Sequence, residues 1–139
     1  MDITMKSICL VFALLFGITA NAGQPFSGDS MQKFYMEMQY LYQAGLGIHQ
    51  QFPNTTDRAQ LKSCTSEYGY IGTRARATVG IANRLEHPAK DEFINAAWRA
   101  LTCAKCSSPL SSCEPLPDDL KFIKNTMAEQ YRDENLNQE

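Results

Sequence analysis

The chain has 139 residues, 44% of them hydrophobic and 20% charged, with a net charge of −2. That length suits one domain with a single core. The slightly acidic balance lacks the basic excess of nucleic-acid binders, so no nucleic-acid partner is expected.

Lys6 is followed by an apolar run from Ile8 to Ile18 and then by Ala20-Asn21-Ala22 before Gly23. A positive start, a short apolar stretch and a small-x-small site make an export signal over residues 1–22, cleaved near Ala22. The run falls short of the roughly 20 apolar residues that cross a bilayer, and no second run approaches that length. The product expected is a free domain, residues 23–139, with no membrane contact after cleavage. Export also implies an oxidising compartment, where cysteines pair.

Gln24 to Gly28 reads as a loose arm, with Ser27 or Asp29 capping a first helix that runs to about Gln51. Phe34, Met38, Leu41, Gly45 and Ile48 recur at steps of four and three and form its core face. Phe52-Pro53-Asn54 ends it, because proline cannot continue the hydrogen-bond ladder. Thr55 or Thr56 is the expected cap of a second helix over about Asp57–Glu86. Its seam is Leu61, Cys64, Tyr68, Ile71, Ala75, Thr78, Ala82 and Leu85. Gly69, Gly72 and Gly80 each weaken that helix by roughly 1 kcal/mol relative to alanine. Close helix packing is the expected reason for them, with a break near Gly69–Gly72 as the structural risk.

His87-Pro88 closes the second helix and Pro88 suits the first turn of a third, which reaches about Lys105. Phe93, Ala96, Ala97, Ala100, Leu101 and Ala104 give it a small-residue face. Ser107–Ser112 reads as a loop. A last helix starts at Pro115–Asp118 with Leu120, Ile123, Met127 and Tyr131 along one side, and residues 133–139 form a polar tail expected to fray. The fold class expected is all-α, a single four-helix domain with short connections stapled by two disulfides.

Cys9 lies in the signal, which leaves Cys64, Cys103, Cys106 and Cys113 to pair. Three pairings are open. The favoured one joins Cys64 to Cys103 and Cys106 to Cys113. The others are Cys64–Cys106 with Cys103–Cys113, and Cys103–Cys106 with Cys64–Cys113. Cys103-Ala104-Lys105-Cys106 is also a C-x-x-C, but it sits at a helix end, where the dipole has the wrong sign to activate a thiol. Ser107 stands where haem attachment needs histidine, and a zinc site would use all four cysteines. No cofactor and no metal is expected.

Catalytic equipment is equally thin. His49 and His87 lie in no H-E-x-x-H motif. Gly28-Asp29-Ser30 resembles the nucleophile segment of GDSL-type hydrolases but lacks the Asp-x-x-His partner. Glu37, Glu67, Glu86 and Glu92 are carboxylates with nothing to pair them for glycoside hydrolysis. An exported helical enzyme of the chorismate-mutase type needs cations converging on a dianion; Arg74, Arg76 and Arg84 supply some, and the first helix offers only Lys33. Asn54-Thr55-Thr56 is a glycosylation acceptor by pattern. No catalytic residue is assigned, and the protein is read as a non-enzyme.

Surface features remain. Met36 and Tyr40 lie one turn apart on the first helix, away from its core stripe. Methionine and aromatics are enriched at interfaces, so the pair marks either a homodimer or partner surface, or a helix enclosed in its own domain. Residues 86–92, with Glu86, His87, Lys90, Asp91 and Glu92, form a charged turn stiffened by Pro88. Such preorganisation lowers the entropy cost of docking into a cleft. Arg74 and Arg76 on the preceding helix add contacts to acidic groups.

Signal, mature length, helical pattern and the Cys64/Cys103/Cys106/Cys113 set together resemble the periplasmic immunity proteins of bacterial type VI secretion systems. The closest resemblance is to those that neutralise a lysozyme-like effector. It implies a periplasmic, homodimeric inhibitor that occludes the glycan cleft of a cognate peptidoglycan hydrolase and prevents self-lysis. A disulfide-stapled helical ligand-binding protein is the other non-catalytic reading.

Overall fold

A computed structural model describes residues 28–137. The expected export signal, its cleavage point, Cys9 and the arm before Gly28 lie outside the described residues, as do 138 and 139. Four helices follow one another: α1 (Gly28–Gln51), α2 (Arg58–Arg84), α3 (Lys90–Cys103) and α4 (Leu116–Leu136). A 3₁₀ turn at Leu110–Cys113 precedes α4. No strand forms among the described residues. The all-α fold class and the two staples stand as the sequence leads one to expect.

Periodicity explains the core. Met31, Phe34, Met38, Leu41 and Ile48 bury one stripe of α1, because side chains three and four apart share a helix face. Cys64, Ile71, Ala75, Thr78, Val79 and Ala82 do the same on α2. The α3 stripe is mostly alanine, and α3 packs against α1, α2 and α4. Small side chains let three neighbours approach one short helix. Phe93 is the large group on α3. Its ring lies 5.9 Å from Phe34 of α1 and 5.9 Å from Phe122 of α4, tying three helices at one point.

Several local expectations change. Asp57, rather than Thr55 or Thr56, caps α2: its Oδ1 accepts from the amides of Ala59 at 2.7 Å and Gln60 at 3.1 Å. Thr56 is taken up by the turn instead, where Asn54 Oδ1 accepts from its N and Oγ1. Pro88 lies just before α3, which starts at Lys90. Helix α2 runs unbroken past Gly69 and Gly72. Close packing is not the reason for either glycine, since a Cβ there meets nothing within 4 Å. The glycine that does serve close packing is Gly45 of α1, where an added Cβ would run into Cys103 Sγ. Helix α4 continues through Asp133–Leu136, all exposed.

The disulfides correct the favoured pairing. Cys64 joins Cys106 and Cys103 joins Cys113. Cys103 lies in the last turn of α3, pressed inward against Gly45 of α1, so its thiol points away from α2. Cys106, beyond the helix end, lies over Cys64, with Cα atoms 5.9 Å apart. Helix phase therefore decides the pairing. His49 supports this corner from α1: its Nε2–H donates to the Cys103 carbonyl at 2.9 Å, in a buried setting.

Candidate functional site

The residues singled out by sequence fall in three places: the α1–α2 face, the turn at 86–92, and Arg76 on the far flank of α2. Tyr40 on α1 meets Arg74 on α2, with Met36 one turn before Tyr40 on the same helix. Met36 is 59% exposed, so α1 is not enclosed on that side. The Arg74 guanidinium sits 3.7 Å over the Tyr40 ring. It also donates from Nε at 2.6 Å and from Nη2 at 3.0 Å to the two carboxylate oxygens of Glu37. That bidentate fork fixes a planar cation in one orientation. The Glu37 hydrogen bond raises the Arg74 pKa and keeps the group charged.

Tyr70 completes this face. It is 60% exposed and one turn before Arg74. The Tyr40 hydroxyl beside it raises the Tyr70 pKa through a hydrogen bond that favours the neutral phenol. Tyr40 is half-buried between these neighbours. A second bridge lies further along the same α1–α2 seam, where Tyr68 Oη donates to Gln51 Oε1 at 2.6 Å. Gln51 Nε2 in turn donates to Glu67. Burial, then the Glu67 carboxylate, raise the Tyr68 pKa.

Glu37 and Tyr70 are the residues that reading the sequence for this face misses, yet a signal for both was present. Glu37 is three residues before Tyr40, and Tyr70 is four before Arg74, both neighbour spacings on a helix surface. What periodicity does not give is which flank of α1 meets which flank of α2.

The turn at 86–92 stands apart, twelve or more residues along α2 from Arg74. His87 folds inward: its Nδ1 accepts from the Ala89 amide at 3.0 Å and its ring lies 5.3 Å from Phe93. Lys90 N donates to the His87 carbonyl, which tightens the turn. Glu86, Asp91 and Glu92 are exposed, the last two stabilised in the first turn of α3 by its dipole. Arg76 is exposed on the flank of α2 away from Arg74. At about 100° per residue, Arg74, Arg76 and Arg84 project in three directions. They do not converge on a dianion.

The carboxylates named as hydrolytic candidates also separate, with Glu37 held by Arg74 and Glu67 by Gln51. Among the described residues no group of His, Cys, Asp and Glu is placed to hold a metal ion, and no helix is long and apolar enough to cross a membrane. No family model, curated protein or solved structure matches the chain.

Proposed function

We propose that this protein is a periplasmic immunity protein that binds and inhibits a muramidase-type type VI secretion effector, acting as a homodimer. The observation that carries the reading is the α1–α2 face. Tyr70 stands well exposed there, near a guanidinium already oriented by Glu37 and Tyr40, and Met36 is exposed one turn before Tyr40. Exposed methionine, tyrosine and arginine have the composition of interface hot spots. The Arg74 fork uses two of its five N–H donors on Glu37, which leaves others for a carboxylate of the partner. The Cys64–Cys106 bridge anchors α2 and the Arg74–Glu37 pair ties it to α1, so little entropy is lost on docking.

Inhibition then needs no chemistry from the chain. A stiff convex body covers a cleft, and the charged turn at 86–92 offers a second point of contact. The chorismate-mutase reading draws no support from arginines that project in three directions. The test is to mix the mature protein with its cognate peptidoglycan hydrolase, follow clearing of a cell-wall suspension, and measure the complex mass. Full inhibition at equimolar ratio is expected. Tyr40→Ala/Arg74→Ala should weaken inhibition at least tenfold while the melting temperature holds. A hydrolase that stays fully active overturns the reading.

A further inference from the structure

The cations of α2 divide between its two flanks. Arg74 faces α1 and is held by Glu37. Arg58, Lys62 and Arg76 lie on the other flank, four and fourteen residues apart, which is close to whole helical turns. None of these three forms an ion pair among the described residues. Their flank borders a groove of about 330 Å³ between α2 and the turn that follows α3. Leu61, Tyr68, Gly69 and Gly72 line one wall, Ala104 and Lys105 the other. The volume falls within the range of ligand sites, about 300–1,000 Å³.

Two carboxylates on this part of α2 are engaged elsewhere. Asp57 is occupied in capping α2, and Glu67 is turned toward Gln51 of α1. At Gly69 and Gly72 the helix backbone is bare toward open space, so a ligand's main chain can approach closely. The single tryptophan of the chain, Trp98, is 52% exposed on α3. Arg99 beside it turns to Asp119 of α4, and Trp98 lies about 100° round the helix from Arg99, on another flank. Counting equal rises from the Cys64–Cys106 bridge along the antiparallel helices brings Trp98 about level with Gly72.

We infer that this groove docks an extended acidic segment of a partner protein, at a site separate from the α1–α2 face. Lys62 and Arg76 are about 21 Å apart along the helix axis at 1.5 Å per residue. An extended peptide of six or seven residues, at about 3.3 Å each, covers that length. A compact anion calls for cations that converge, whereas these are spaced along the α2 flank that borders an open channel, with Lys105 in the opposite wall. An apolar side chain in the middle of the segment seats between Tyr68 and Trp98, with carboxylates on either side reaching the cations.

The test uses the mature protein and a synthetic hexapeptide of Glu and Asp with one central Phe, followed by calorimetry and by Trp98 emission. A basic peptide of the same length and an anionic polyuronate oligosaccharide are run alongside. Saturable binding of the acidic peptide with a change in Trp98 emission is expected. Lys105→Glu and Arg76→Glu should each weaken it at least tenfold. Gly72→Leu should abolish it by filling the channel, without lowering the melting temperature. Absence of heat and of emission change with the acidic peptide overturns the inference. So does equal binding of the basic peptide, binding of the oligosaccharide alone, or wild-type affinity in both Lys105→Glu and Gly72→Leu. The outcome does not depend on any hydrolase, so it stands or falls separately from the inhibitor reading.

Discussion

Gly45 and Gly47 lie two residues apart on α1, and replacing each with alanine should have opposite effects. At Gly47 a Cβ meets nothing within 4 Å. Gly47→Ala then gains only helix propensity, up to about 1 kcal/mol. At Gly45 the same methyl would overlap Cys103 Sγ and lie 3.1 Å from the Cys103 carbonyl oxygen. Neither atom can swing aside. The sulfur is bonded to Cys113, and the carbonyl accepts from buried His49. Relief requires α1 and α3 to separate, and overpacking of this kind costs about 1–3 kcal/mol. Setting a propensity gain of about 1 kcal/mol against it leaves Gly45→Ala destabilised by up to about 2 kcal/mol, and less stable than Gly47→Ala by about 1–3 kcal/mol. Urea unfolding of the oxidised proteins gives both free energies, and each 1 kcal/mol should appear as roughly 4 °C in a thermal melt. If Gly45→Ala proves as stable as Gly47→Ala, α1 and α3 do not meet at Cys103 and the account of the disulfide pairing fails with it.

Peptide mapping of the oxidised protein should return Cys64 linked to Cys106 and Cys103 to Cys113. Removing Cys64–Cys106, with a sequence separation of 42, should cost more than removing Cys103–Cys113, with a separation of 10. The chain-entropy model gives about 4 against about 3 kcal/mol; unfolding of the paired serine variants decides the order. His49→Ala should lose about 2–4 kcal/mol, since it opens a hole and strands the buried Cys103 carbonyl. His49→Gln, which keeps a donor, should recover part of that loss in the same unfolding assay. Tyr70 is raised above 10.0 by its bond with Tyr40, so ultraviolet titration of Tyr40→Phe should show one phenol moving back toward the ordinary value. A phenol raised in the folded state contributes stability that is intact below pH 10 and is lost as pH rises through the folded pKa. Tyr40→Phe should therefore blunt the alkaline fall in stability above pH 10, and an unchanged alkaline melting profile would count against the pairing.

How much of the candidate face could be read from the sequence depended on the helix. Met36 and Tyr40 stood out because they fall outside a regular stripe of α1, and both are where phase puts them. Charge marks out Arg74 in the sequence, but nothing there pairs it with Glu37 across the two helices. The exposed Trp98 drew no notice, because an aromatic beside an alanine stripe gives no sign of whether a neighbouring helix covers it. The glycines misled for the same reason. Gly69 and Gly72 carry the spacing of a packing seam, yet they face open space, while the packing glycine is Gly45.

Four helices, their order and their buried stripes follow from the chain alone, because helical phase is a local property of the backbone and burial selects one face. The cap at Asp57 is local too, and was misplaced by one or two residues among several competent side chains. What waited on the tertiary structure is everything that depends on the rotation and depth of one helix against another. Cys103 looks inward to α1 and Cys113, and Cys106 outward to Cys64, because α3 ends between them. Arg74 meets Glu37 because the flank of α2 that carries it is the one turned to α1. Those rotations are settled by how small and large side chains of four helices interdigitate at once, which no single stretch of sequence contains.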